Sequence, residues 1–353
     1  MVPDHGAGVL RDLTVLDFTQ QLPGPFATAL LKSLGARVIK IEPPQGDPSR
    51  TLDPEMFDRV NAGKESVTLD LKSESGRTAA LGLVQGSDVV VESFRPGVMA
   101  RLGVDWTACQ AVNSRLVYCS ISGFGADGPY AHVPVHDLNL MAWGDPSGAQ
   151  RTSGRIGVPW VDLGTGTTAA LTMVAAWVRA RDFGVGAKLD VSMLELALSW
   201  SRVKPPRSGM EPTYGVYRTC DDHEVVIAVL EDHFWSRLCT ALELGDLGQD
   251  PALADYSGRV IRAEELHGRV SARIAQLQLS EILSLAQVHD LPITTAHAQA
   301  DDRAVAQLAL AGFGDGGFRL PTRETGHAVG RAPEPGEHTA LIMAEFAAFL
   351  GPV

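Results

Sequence analysis

"LTVLDFTQQLPGPFATALLKSLGARVIKIE", residues 13–42, decides the fold class. It opens with "LTVLDF" (13–18), a short apolar run of the kind found in a buried strand. "PFATALLKSLG" (25–35) reads as a helix, with Pro25 in its first turn and Gly35 as its stop. "ARVIKIE" (36–42) is a second strand. A strand, a helix of about ten residues and another strand form a crossover unit, and such units build parallel sheets.

The alternation continues outward. "SVTLDL" (66–71) is followed by a helix over 75–85 and the β-branched strand "DVVVESF" (88–94). Two short helices lead to "RLVYCSIS" (115–122). The fold class is therefore α/β, with a mainly parallel, doubly wound sheet. A long, apolar helix is expected over 165–181, then the strand "KLDVSM" (188–193) and the helix "LELALSWS". "KPPRSGMEPTYG" (204–215) reads as a linker. Beyond it lie a strand at 224–230 and helices at 231–244, 262–276, 279–288 and 300–311. These divide the chain into a large domain over 1–204, a smaller one over 205–300 and a C-terminal segment, 301–353.

Bulk properties narrow the function. The 353 residues are 45% hydrophobic and 20% charged, with no apolar run of membrane-spanning length and no secretory signal pattern. Cys109, Cys119, Cys220 and Cys239 lie far apart without a CxxC, which points to a reducing cytoplasm and to neither a disulfide framework nor a metal site. A net charge of −12 disfavours nucleic acid or an anionic membrane as partner. An anionic small ligand then needs a local cluster of cations.

"GFGADG" (123–128) follows a strand and matches G-x-G-x-x-G. A dinucleotide site needs those glycines to open a helix and an acid about twenty residues on. Here Pro129 and a proline-rich loop follow, so a glycine loop over a binding cleft is expected.

Two stretches carry candidate chemistry. In "HVPVHDLNLMAWGD" (132–145), His136 and Asp137 stand at a helix start, where Asp137 has the type of a cap. In "VDLGTGTTAAL" (161–171), Asp162 precedes a glycine-rich turn into the long helix. It reads either as an N-cap or as the head of a ligand site, where Gly164 and Gly166 let a ligand approach backbone N–H groups that stabilise a developing oxyanion. Glu231 fits the first turn of a helix, and Tyr214 is a packing aromatic beside Pro212 and Gly215.

Taken together with the blocks "NAGKESVTLDLKSESG" (61–76), "VVVESFRPGVMARLGVD" (89–105), "RLVYCSISGFGADGPY" (115–130), "VDLGTG" (161–166) and "RAPEPGEHT" (331–339), the chain resembles the family III CoA-transferases (CaiB/BaiF), and among them the α-methylacyl-CoA racemases. The resemblance implies a Rossmann-like large domain, a smaller α+β domain and an intertwined homodimer. It implies CoA thioesters as substrates, with no cofactor beyond the coenzyme A of the substrate and no metal.

In the racemases a His-Asp pair and an aspartate at a glycine-rich helix start act on the two faces of the α-carbon; His136, Asp137 and Asp162 fall on those positions. Glu231 matches a glutamate on the histidine side, and Tyr214 an aromatic near the centre. Inversion needs one group to take the α-proton and another to return it, with donors for the enolate oxygen. The implied assignment is Asp162 and His136 as acid/bases, tuned by Glu231 and Asp137, with the amides around Gly164 and Gly166 as donors. Lys40, Arg95 and Arg101 are the implied CoA-binding cations, while Arg50 and Lys64 are expected to be surface charges.

In the family's transferases the same aspartate is instead a nucleophile that forms anhydride and thioester intermediates, which makes CoA transfer the alternative. The chain departs from the racemase pattern at Val135, in place of glycine, and at "DLGTG". It is also shorter between "KLDVSM" and Tyr214, a stretch that helps shape the acyl pocket; an unusual acyl group, or a carrier-protein thioester, would suit that change.

Overall fold

The computed structural model describes residues 8–144, 157–203, 211–311 and 330–349. The chain divides into two units, Met1–Pro206 with Gly316–Val353, and Arg207–Asp315.

In the first unit, β1 (Thr14–Asp17), α1 (Pro23–Ser33) and β2 (Arg37–Glu42) form the expected crossover. There follow α2 (Ser49–Leu52), α3 (Pro54–Asn61), β3 (Glu65–Thr68), α4 (Glu74–Gln85), β4 (Val89–Glu92), α5 (Val98–Leu102), α6 (Trp106–Val112) and β5 (Val117–Ser122). Then come α7 (Asp137–Gly144), α8 (Trp160–Phe183), β6 (Ala187–Ser192) and α9 (Met193–Val203). All strands run parallel in the order β3-β2-β1-β4-β5-β6. The winding reverses between β1 and β4, and in such sheets ligands bind where the loops leaving those strands part.

Both faces of the sheet are covered, which explains the nearly continuous apolar strands. Val15, Val38, Val89, Val117 and Cys119 pack with α1 and α8, while Leu16, Ile39, Val90 and Tyr118 pack with α4 and α6. The sequence reading missed α2 and α3, although Asp53 caps α3 by accepting from the Met56 N–H and Pro54 opens it.

The long helix starts earlier than expected, at Trp160, so Asp162 is its third residue and not its cap. Gly164 and Gly166 lie inside the helix, because their missing side chains let other elements approach. A Cβ at Gly166 would meet the Pro23 carbonyl oxygen at 2.6 Å, and one at Gly164 would meet Trp200 and Leu196 within 2.9 Å. Tertiary packing overrides the glycines' poor helix propensity here. Gly166→Ala, opposed by backbone that cannot swing aside, is expected to destabilise the protein by about 1–3 kcal/mol in urea denaturation. An unchanged midpoint would show that α1 yields easily.

The second unit holds β7 (Tyr214–Arg218) and β8 (Glu224–Ala228), then α10 (Asp232–Ala241), α11 (Gly245–Gly248), α12 (Tyr256–Ile261), α13 (Ala263–Ile274) and α14 (Leu279–Val288). β9 (Ile293–Thr295) completes a three-stranded antiparallel sheet in the order β7-β8-β9. Tyr217, Val225, Ile227, Trp235, Leu266 and Ile282 belong to its core. The sequence reading missed β7 and β9, both short. It also assigned residues 301–311 to the returning C-terminal segment, whereas α15 (Asp302–Ala311) groups with this second unit.

The C-terminal segment itself belongs with the first unit. The His338 N–H donates to Ser66 O at 2.9 Å before α16 (Thr339–Glu345), and Arg37 bridges Glu65 and Glu345. Among the described residues no helix is long and apolar enough to cross a membrane.

Candidate active site

The loops that follow β1, β4 and β5 wall a cleft of about 260 Å³, lined by Gln20, Gln21, Arg95, Val135, His136 and Asp162 among others. The two residues expected to act together, His136 and Asp162, therefore share one cavity although twenty-six positions separate them. Every lining residue belongs to the first unit.

Asp162 projects from the first turn of α8 and is partly buried. Burial, reinforced by the nearby charge of Asp137, pushes its carboxyl up to about 7. Near neutral pH it is thus poised between its two protonation states. Asp137 is buried, and its Oδ1 accepts the N–H groups of Val161 at 3.0 Å and of Asp162 at 2.9 Å. The pairing expected between Asp137 and His136 gives way to this one: Asp137 caps α8, holds Asp162 by its own backbone and raises its carboxyl. The cap role predicted for Asp162 is played by Asp137, from another helix. Burial also raises the Asp137 carboxyl, against the pull of those two N–H groups.

Asp137→Asn keeps the accepting oxygen and removes the charge. The acid limb of the pH–rate profile is expected to move below its parental position near pH 7 with the fold intact. An unmoved limb would show that the Asp137 charge does not act on Asp162.

His136 is exposed at the mouth of the cleft, just before α7. Its N–H donates to Asn139 Oδ1 and its carbonyl accepts the Asn139 N–H, each at 3.0 Å, which fixes the entry to the helix. Val135, the residue that departs from the racemase pattern, fills the space left by Gly123, where a Cβ would meet its Cγ1 at 2.1 Å. The glycine loop opens no helix; Gly125 and Gly128 adopt positive φ, and the Ala126 N–H is tied to Asp190 at 3.1 Å. The amides around Gly164 and Gly166 do not line the cleft, so the donor role expected of them is withdrawn.

The predicted cations sort differently from expectation. Lys40 is fully buried, its ammonium held at 2.9 Å by both Asp47 and Thr19 O, so it is not open to a CoA phosphate. Lys64, expected at the surface, is also buried, with Asp17 Oδ2, Pro25 O, Thr28 Oγ1 and Asn61 Oδ1 within 3.0 Å. Arg50 is committed to Glu42 and Pro333 O and stacks on Phe57. Arg95 and Arg101 are exposed and have no carboxylate partner among the described residues. Arg95 lines the cleft, and the Arg101 guanidinium lies 3.6 Å from the Cβ position of Gly97.

Tyr214 and Glu231 belong to the second unit. Tyr214 opens β7 opposite Ala228 and is 51% exposed. Glu231 is the exposed N-cap of α10. The buried Arg259 braces its turn by donating to Leu230 O at 2.7 Å and to Asp232 at 2.8 Å.

Sequence reading missed Gln20, Gln21, Ser93 and Met193, all of which line the cleft. The signal was available for the first three, since they directly follow β1 and β4, the strands flanking the reversal of the sheet. Among the described residues no three His, Cys, Asp or Glu side chains are placed to hold a metal ion.

Residues 10–314 match the profile of CoA-transferase family III. The chain belongs to that family. This family member is similar to the acetyl-CoA:oxalate CoA-transferase of Acetobacter aceti, at 32% identity over 98% of this chain and 98% of that protein. It is similar also to the formyl-CoA:oxalate CoA-transferase of Streptomyces coelicolor, at 29% identity over 85% of this chain and 84% of that protein. Among solved structures, a CaiB/BaiF family protein from Brucella suis superposes with a TM-score of 0.79 at 29% identity, over 96% of this chain and 99% of that one.

Proposed function

We propose that this protein moves coenzyme A from an acyl-CoA donor to a carboxylic acid, with Asp162 as the nucleophile. One observation carries the reading. A partly buried carboxyl, raised to about 7 and held by a second carboxylate, stands in the cleft at the reversal point of the sheet. A carboxylate short of water and close to its like is a stronger nucleophile toward a thioester than a solvated one.

The Asp162 oxygen attacks the thioester carbonyl carbon and expels the CoA thiolate, leaving a mixed anhydride. The thiolate then attacks the aspartyl carbonyl, releases the donor acid and forms an aspartyl-CoA thioester. An acceptor carboxylate repeats the two steps in reverse order. Arg95, which lines the cleft, and Arg101, exposed on α5, are the cations this reading assigns to the CoA phosphates. The names of the relatives favour transfer over the inversion that the resemblance to racemases first implied.

Incubation with acetyl-, formyl- or succinyl-CoA and an oxalate or succinate acceptor is expected to yield the new thioester. Hydroxylamine should trap Asp162 as a hydroxamate, visible by peptide mass spectrometry. Absence of both products across the panel overturns the reading. His136, lining the same cleft, favours the racemase as second reading. Deuterium uptake at the α-carbon of a 2-methylacyl-CoA in heavy water, with no acceptor acid present, would establish it.

A further inference from the structure

Attack by Asp162 drives the electron pair of the thioester C=O onto oxygen, and the resulting oxyanion needs a preorganised donor. Helix N-termini commonly supply one, yet α8 and α1, which contribute Asp162 and Pro23 to the cleft, do not serve. At α8, the N–H groups of Val161 and Asp162 go to Asp137, and that of Leu163 goes to Pro159 O at 3.0 Å. At α1, Pro23 and Pro25 have no N–H, and the Phe26 N–H is bonded to Leu22 O at 2.9 Å. Gly24, between the prolines, is buried and does not line the cleft.

With those amides committed or turned from the cleft, the donor is sought among the side chains of its wall. Gln21 lines the cleft and holds an unusual backbone, with φ 65° in the left-handed region that non-glycine residues avoid. Its neighbours enforce that turn. The Thr19 N–H and hydroxyl both donate to the buried Asp17, and the buried Lys40 donates to Thr19 O at 2.9 Å. The Gln20 N–H donates to Ser93 Oγ at 3.0 Å, and α1 begins two residues after Gln21. A buried charge network thus clamps a strained, exposed glutamine at the rim of the nucleophile's cavity.

We infer that the Gln21 carboxamide is the oxyanion donor of the acylation step, an assignment that rests on Asp162 being the nucleophile. As the Asp162–carbon bond forms, the former carbonyl oxygen accepts a hydrogen bond from the Gln21 amide N–H. No proton is transferred. Collapse of the oxyanion re-forms C=O, breaks the carbon–sulfur bond and releases CoA as the thiolate.

Gln21→Gly tests this, because glycine adopts the same φ freely and removes the amide. Single-turnover formation of the hydroxylamine-trapped Asp162 adduct is compared in the parent, Gln21→Gly and Gln20→Ala. The expected result for Gln21→Gly is acylation slowed about 10²–10³-fold. KM for acyl-CoA should stay within about threefold and Tm within about 2 °C of the parent, as loss of one transition-state contact requires. Acylation within about threefold of the parent overturns the assignment, as does a rise in KM alone or a larger loss in Gln20→Ala. A parent protein that forms no Asp162 adduct overturns the nucleophile reading first, and this assignment with it.

Discussion

Asp162→Asn is expected to lose at least about 10³-fold in CoA transfer while gaining stability above neutral pH. Both effects follow from one carboxyl. Folding raises its affinity for a proton, moving it from the ordinary 3.8 to about 7. The native state therefore binds more protons than the unfolded chain between those values, and stability falls as pH rises through that window. A three-unit shift corresponds to about 4 kcal/mol, which partial exposure reduces to about 1–3 kcal/mol.

Asparagine carries no charge, so the variant's advantage should be absent near pH 4, grow toward pH 7 and level off above it. Urea denaturation at several pH values reads this directly. The transfer rate of the parent should climb with pH across the same range, as the carboxylate form accumulates. A variant no more stable at pH 8 than at pH 4, relative to the parent, would mean that Asp162 titrates as an ordinary surface acid. Retained transfer in a well-folded variant would remove it from the chemistry.

The largest loss of stability is expected from Lys64→Met. Lys64 and Asp17 are both fully enclosed and lie 3.0 Å apart. Burial by itself would raise the Asp17 carboxyl, but Lys64, Lys40 and the hydroxyls of Thr19 and Thr28 outweigh it and hold the group ionised far below the usual range. Methionine at position 64 withdraws the main counter-charge and leaves a carboxylate in the core, a change that costs about 3–5 kcal/mol. Protonating Asp17 relieves part of that cost, so the deficit should shrink at low pH. Asp17→Asn in the Lys64→Met background should restore a portion of it at neutral pH. A single variant that melts with the parent would show that Lys40 alone sustains Asp17. The same network holds Thr19, the anchor for the Gln20–Gln21 turn, so Lys64→Met should also slow acylation where the fold survives.

Much of this protein is legible in its chain because the information is local. "LTVLDF", "PFATALLKSLG" and "ARVIKIE" became β1, α1 and β2 with shifts of one or two residues, since apolar periodicity, a proline start and a glycine stop act over a few positions. His136 and Asp162 were also readable, as side chains whose chemical type suits work on an activated carbonyl group.

What remained hidden depends on residues far apart in sequence. Whether Lys40 and Lys64 meet solvent or an ion pair is decided by Asp47 and Asp17, the latter forty-seven positions from its partner. Asp137 stands next to His136 in the chain, yet it serves α8 twenty-five positions away, because the helix end offers two orphan N–H groups to whichever acceptor packs against it. The sequence by itself determined the alternating strands and helices, the family and the identity of the nucleophile candidate. The tertiary structure alone decided which charges are enclosed, which carboxylate raises Asp162 and which turn lines its cleft. Desolvation and charge coupling depend on distance in space, and that distance is set only when the sheet and its helices have packed.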